Sequence, residues 1–367
     1  MTIDADTLPT PRMRDQAAKA PVAQAEKAIR KAFYNKLSRL PSVSLENTID
    51  TSTPSLDFTF IREYILGSGV YRAPFETAQG CLKPCKPNMG GFCGCEYPRL
   101  CACLEFAAVH MEVLEKSEPE RFQAYQRMQA GGPVIDTTGM PKRFPYHKAK
   151  GEGIPQTLVG HHLESRNAIY ECNAKCNCGP VCKSRVVQKG RKVPLTIFKT
   201  ANRGWGLRCK EDLVRGEFID TYLGEVITNQ EADLRESQTN GLSKSSYLYS
   251  LDKFVGDDPN LTYDNCYVVD GEKMGGVTRF INHSCEPNCR QFTVSYNKHD
   301  LRVYDLAFFA LEDIPAGREL TFDYVDPNEE EEDEIVRKRE EAANDPNNID
   351  KIRCNCGAAK CRGYLWV

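Results

Sequence analysis

Between residues 193 and 324 the apolar positions come in short bursts, cut by Gly, Asn and Asp, with polar residues alternating inside them. That pattern predicts strands over 194–199, 217–223, 247–251, 267–269, 290–295, 302–310 and 320–322. One helical pattern, near 229–236, interrupts them. Many short strands and few helices predict an α+β fold, mostly β, and exclude a doubly wound parallel sheet. The glycine-rich Gly67-Ser-Gly69 is followed by Arg72, where a dinucleotide fingerprint needs a small residue.

The flanks read differently. Residues 1–50 mix Ala, Pro, Thr and charge around one helical pattern near 22–40, and are expected to be an unfolded leader. A polar insertion at 104–170 holds a helical pattern over 105–128 and then Gly- and Pro-rich sequence, which reads as a surface excursion. After residue 324 come an acidic run, 329–334, and the basic Arg337-Lys338-Arg339, together read as a solvated linker. The longest strongly apolar run, 306–311, is too short to cross a bilayer. The first residues lack the apolar core of a secretory signal. No membrane association is expected, and the compartment should be a reducing one.

In such a compartment the 17 cysteines of the 367-residue chain need an explanation other than disulfides. They fall in three blocks. The first supplies Cys81, Cys85, Cys93, Cys95, Cys101 and Cys103, and the second is Cys172-x3-Cys176-x-Cys178-x3-Cys182. Cysteines one residue apart do not readily close on each other, but their thiolates reach neighbouring metals. Nine thiolates satisfy three tetrahedral zinc ions when three of them bridge, and all-sulfur ligation marks a closed, structural site. Ten are present, one more than required. The third block, Cys354-x-Cys356-x4-Cys361, is one thiolate short of a zinc site. Cys209, Cys266 and Cys289 fit no such pattern and are expected to be buried thiols.

The formal net charge is −3, and about −8 once four zinc ions and thirteen thiolates are included. An acidic chain suits a basic peptide better than a nucleic-acid backbone, so direct nucleic-acid binding is not indicated.

The run IYECNAKCNCGPVCKSRVVQKG, residues 169–190, resembles the pre-SET signature of the Su(var)3-9 class of histone lysine methyltransferases. Four further segments resemble the SET domain in order: Arg203-Gly-Trp-Gly206, Tyr222-Leu-Gly-Glu225, Arg279-Phe-Ile-Asn-His-Ser-Cys285 and Glu319-Leu-Thr-Phe-Asp-Tyr324. The likeness covers roughly residues 60–367. It implies a SET-domain (β-clip) core of short strands, a pre-SET three-zinc cluster held by Cys81, Cys85, Cys95, Cys101, Cys103, Cys172, Cys176, Cys178 and Cys182, and a post-SET zinc tail. In that tail Cys285 is the implied fourth ligand beside Cys354, Cys356 and Cys361. The implied organisation is a leader (1–55), pre-SET (56–190), SET (191–326), an acidic/basic linker (327–350) and post-SET (351–367).

The resemblance also implies chemistry. S-adenosylmethionine would be the methyl donor, held by Arg203, Gly204, Trp205, Tyr247, Arg279, Asn282 and His283. The acceptor would be lysine nine of the histone H3 tail, giving di- or trimethyllysine in heterochromatin formation and gene silencing, in the nucleus at chromatin. Tyr324 and Tyr222 would be the catalytic hydroxyls. Phe322, Asp252 and Trp366 would line the substrate channel, and the partner would be an H3 tail peptide or a nucleosome. The competing reading is a catalytically inactive, zinc-stapled scaffold that binds histone tails.

Overall fold

The computed structural model describes residues 7–73, 95, 101–147, 154–178, 182–238, 247–297, 300–326 and 352–365. Cys81, Cys85, Cys93, Trp366 and the 327–350 linker lie outside the described residues.

The chain begins with helices α1 (Pro11–Lys19) and α2 (Val22–Leu37) and then strands β1 (Val43–Glu46), β2 (Thr59–Phe60) and β3 (Ile65–Leu66). Helices α3 (Met111–Ser117), α4 (Pro119–Gln129) and α5 (Gly160–Glu164) occupy the insertion, followed by β4 (Ile169–Tyr170). The strand-rich part contains β5 (Leu195–Lys199), β6 (Trp205–Cys209), β7 (Phe218–Tyr222) and β8 (Glu225–Thr228), then α6 (Asn229–Ser237). It continues with β9 (Leu248–Ser250), β10 (Tyr267–Asp270), β11 (Met274–Gly275), β12 (Asn282–His283), β13 (Cys289–Ser295), β14 (Asp305–Ala310) and β15 (Glu319–Phe322).

Three small sheets wrap one core. Their orders are β1-β5-β6-β15-β12, β3-β8-β10-β9 and β4-β13-β14-β7, with a two-stranded β11-β2 pair beside them. The apolar face of each sheet points inward, and Leu195, Ile197, Leu207, Val226, Val269, Phe308 and Leu320 are fully buried between them. No helix of the described residues is long and apolar enough to cross a membrane.

The leader is corrected. Ala25, Ile29, Phe33 and Leu37 recur every fourth residue and give α2 a continuous apolar stripe. Leu8, Phe33, Leu37 and Leu45 join the main core. β1 then pairs in parallel with β5, Val43 opposite Leu195 and Glu46 opposite Phe198. From residue 7 onward this segment is a wall of the fold.

The insertion is likewise more than an excursion. Glu118-Pro119 breaks its helical pattern into α3 and α4, because proline suits the first turn of a new helix. Met140 folds back onto Val109 and Leu114. Tyr146, Leu158 and Leu163 pack under the β4-β13-β14-β7 sheet against Phe218, Phe292 and Phe309.

Candidate functional site

The loop between β5 and β6 is the first part of the site. Thr200 Oγ1 accepts the Arg203 N–H at 2.9 Å and donates to the Gly204 carbonyl at 3.0 Å, closing a tight turn. Gly204 sits at φ 68° with open space where a Cβ would stand, so a ligand can approach its backbone closely. Asn282 arrives from β12 and donates to the Trp205 carbonyl at 3.2 Å and to Glu319 Oε1 at 2.8 Å. Glu319 also pairs with Arg203, so one carboxylate fixes two of the expected donor-site residues. It begins the Glu-Leu-Thr-Phe-Asp-Tyr segment, yet sequence reasoning assigned it nothing.

β12 and β15 run parallel, with Asn282 opposite Thr321 and His283 opposite Phe322. This pairing sets the Asn-His-Ser-Cys segment beside Phe-Asp-Tyr. The Tyr324 N–H donates to His283 Nδ1 at 3.2 Å, and the two rings meet edge to face at 5.3 Å. Tyr324 donates its phenol proton to the Ile281 carbonyl at 3.0 Å. Tyr222, at the end of β7, donates its own to the Tyr247 carbonyl at 2.8 Å. Gly271 passes so close that a Cβ there would lie 2.5 Å from the Tyr222 hydroxyl. Phe322 stacks between Phe308 and Tyr324, at 4.9 and 4.8 Å. Desolvation pushes the hydroxyls of Tyr222, Tyr249 and Tyr324 above the ordinary tyrosine range, so all three stay neutral at physiological pH.

Arg279 is sandwiched, 4.3 Å from the Phe58 and Tyr247 ring centres, and donates to the Gly271 carbonyl at 3.1 Å. One cleft of about 530 Å³ is lined by Arg203, Gly204, Trp205, Tyr222, Tyr247, Arg279, Asn282, Phe322 and Tyr324, while His283 and Glu319 stand behind its wall, against Tyr324 and Asn282. Thr7, Ser52, Thr53, Pro54 and Ser55 line it as well, a contribution from the leader that no motif announces. Asp50 shapes that loop: hydrogen bonds from Ser52 and Asn47 hold its carboxyl at about 2.

A second groove of about 170 Å³ opens beside the first, and Tyr249 borders both. Asp252 lines it, and no side chain of the described residues pairs with the Asp252 carboxylate. Asp326 lies in the same groove, held by Arg166 at 2.6 Å and Arg290 at 3.4 Å. Tyr249 and Ser250 of β9, the last strand of its sheet among the described residues, line this groove.

The cysteines gather as metal sites. Cys95, Cys172, Cys178 and Cys182 bring their sulfurs within 4.8 Å of one another, and Cys101, Cys103 and Cys172 form an overlapping group. Cys172 belongs to both, as a bridging thiolate must; Cys95 joins the first group, and Cys93 lies outside the described residues. Cys176 lies 3.5 Å from Cys103. The tail site assembles Cys285, Cys354, Cys356 and Cys361. Arg362 beside it donates to the Cys285 sulfur at 3.4 Å and pairs with Asp323, the neighbour of Tyr324. Both donor sets fit zinc: sulfur only, clustered, and tetrahedral in number at the complete groups. The three remaining cysteines, Cys209, Cys266 and Cys289, are buried.

Similarity to known proteins agrees with this geometry. The SET domain family model matches residues 204–325 and the Pre-SET motif matches residues 35–185. Histone-lysine N-methyltransferase, H3 lysine-9 specific KMT1 of Fusarium mangiferae is 39% identical over 335 residues, 90% of this chain and 89% of that protein. The solved structure of the Neurospora SET-domain protein DIM-5, a histone lysine methyltransferase, superposes with a TM-score of 0.60 at 36% identity, covering 78% of this chain and 96% of that one. Arabidopsis thaliana SUVH6, solved in complex with SAM, gives a TM-score of 0.55 at 28% identity, over 88% of this chain and 53% of that one.

Proposed function

Because the chain belongs to the Su(var)3-9 family of SET-domain histone-lysine N-methyltransferases, we propose that it transfers methyl groups from S-adenosylmethionine to lysine nine of the histone H3 tail. The site of action is the nucleus, on chromatin, in heterochromatin formation and silencing, with the nucleosome as the full substrate. Pre-SET (56–190), SET (191–326) and post-SET (351–367) form the catalytic unit, and the segment from residue 7 completes its wall.

The donor supplies a methyl group on a sulfonium sulfur, and a neutral thioether leaves. Arg203, Gly204, Trp205, Tyr247, Arg279, Asn282 and His283 are assigned to hold it, in the open cradle at Gly204 and under the Arg279 stack. The chain's own task is to present a neutral amine in line with that methyl, at about 3 Å, away from water. One observation carries this reading. Tyr222 and Tyr324 each donate their single phenol proton to a backbone carbonyl, so toward an amine each oxygen can act only as an acceptor. Such a pair orients the lysine lone pair without taking up its proton. The intact set of Tyr222, Asn282, His283 and Tyr324 is also the argument against an inactive scaffold. Mass spectrometry of an H3 peptide incubated with enzyme and donor tests activity, site and methyl count together. An unmodified peptide overturns the proposal.

Loss of the lysine proton to solvent sets the pH profile. Since burial holds the phenols protonated, kcat/KM should climb roughly tenfold per pH unit up to the amine pKa. A profile that falls above neutral pH would contradict this.

Phe322 has no hydroxyl with which to hold a water beside the acceptor nitrogen, which leaves space for a growing amine and for di- and trimethyllysine. Phe322→Tyr should lower trimethyl relative to monomethyl product by about tenfold, read by peptide mass spectrometry, a barrier change of roughly 1.4 kcal/mol. The H3 tail is assigned to β9 as an added strand, with Asp252 taking a peptide cation. Asp252→Ala should raise KM for the peptide about five- to tenfold, as the loss of one semi-exposed ion pair does, with kcat little changed. An unaltered KM would remove Asp252 from the groove.

A further inference from the structure

The net negative charge of the chain conceals a segregation. Residues 7–40 carry eight lysines and arginines against two carboxylates, Asp15 and Glu26. One carboxylate is already committed, since Asp15 pairs with Lys19 at 2.7 Å. The apolar stripe of α2 faces the core, so Lys27 and Lys31 stand exposed on its outer side. Parts of the chain far apart in sequence meet the C-terminal end of this helix. Arg62 donates to the Arg39 carbonyl and Arg191 donates to the Pro41 carbonyl at 2.6 Å, drawing both segments to the C-terminal end of α2. Arg39, Arg62 and Lys192 are exposed there. Among the described residues none of Lys27, Lys31, Arg39, Arg62 or Lys192 has an ion-pair partner. Five exposed cations without an ion-pair partner among the described residues, on α2 and on segments drawn to its C-terminal end, in a protein otherwise acidic, are the electrostatic footprint of a polyanion site.

We propose that these cations bind the phosphate backbone of double-stranded DNA, holding the enzyme beside the DNA from which a histone tail emerges. The contact is to phosphates alone, so it is independent of base sequence and strongly dependent on salt. DNA binding itself does not rest on the catalytic assignment.

The test uses the full, zinc-loaded chain and a short DNA duplex, with binding followed by fluorescence anisotropy across roughly 50 to 200 mM salt. Lys27→Glu with Lys31→Glu changes two solvated helix positions, and zinc content together with the rate on free H3 peptide reports that the fold is intact. The variant should bind DNA at least about tenfold more weakly, and its log–log salt slope should fall by about two. Its rate on nucleosomes should drop while its rate on free peptide stays unchanged. Wild-type protein that ignores DNA at low salt, or a variant that binds as the wild type does, overturns the proposal. A variant that loses nucleosome activity yet keeps DNA binding also overturns it, in favour of an acidic histone surface. Inactivity of both proteins on free peptide strikes the catalytic assignment and leaves this one to the anisotropy.

Discussion

Tyr324→Phe is expected to lower kcat on an H3 peptide by about a hundredfold, with peptide KM and donor affinity changed little. The ring itself is structural, packed on Phe322 and on His283, and phenylalanine keeps both contacts. What goes is one oxygen. In the folded protein that oxygen donates its proton to the Ile281 carbonyl, so under the proposed function it can meet the substrate nitrogen only as an acceptor. The substitution therefore strands one carbonyl and removes one amine acceptor, and only the second bears on transfer. A group that aligns a nucleophile acts mainly in the transition state, which is why the loss should fall on kcat. Single-turnover kinetics with peptide and donor at saturation give the decisive number. A loss confined to KM would show that Tyr324 merely binds.

Stripping zinc should abolish activity, and it should do so in two stages. The pre-SET cluster has little else to hold it together: seven of its nine buried core residues are cysteines. Each structural zinc in a small module is worth about 10–16 kcal/mol of folding free energy, as large as the whole stability of an ordinary domain, about 5–15 kcal/mol. Complete removal should therefore unfold that region. The tail site is more accessible, with Cys361 exposed and Cys285, Cys354 and Cys356 half-buried, against the fully buried cluster thiols. Mild chelation should empty it first. Cys285 lies two residues from His283, and Arg362 ties the tail to Asp323, so the loss disorders the wall behind Tyr324 while the core still melts normally. Zinc analysis, thermal melting and activity followed together should show activity lost about one zinc per chain before Tm falls. Simultaneous loss would mean that both sites form one cooperative unit.

How much of this could be read from the sequence depended on element length. The seven strands predicted from the pattern correspond to β5, β7, β9, β10, β13, β14 and β15, each of three or more residues and long enough to leave an apolar burst in the sequence. Strands of two residues such as β2, β3, β4, β11 and β12 contain no period at all; partners create them. β6 begins inside Gly-Trp-Gly, which local chemistry reads as a turn and which is indeed a turn up to Gly204. The leader failed for another reason. Its composition is that of a solvated segment, and the four-residue recurrence of Ala25, Ile29, Phe33 and Leu37 was outweighed by it. The zinc groups were legible because ligand spacing is local, except for Cys285, which the tail meets only in three dimensions. Thr7 and Ser52 through Ser55 border the larger cleft as small residues placed there by the fold, and their identity carries no signal.

The parallel pairing of β1 with β5 has a cost in kinetics. Ser44 and Thr196, whose hydroxyls meet at 3.0 Å, are separated by 152 positions, and nearly the whole pre-SET region hangs between them as a loop. Closing such a span is slow, because its entropy must be surrendered before any contact repays it. Metal bound within that span stitches it into shorter segments, each halving easing closure by roughly 0.6 kcal/mol. Until the ions are loaded, β5 keeps an open flank of unsatisfied N–H and C=O groups that strands from other molecules can join. A cell short of zinc would then accumulate aggregates of this enzyme rather than a dormant pool awaiting the ion.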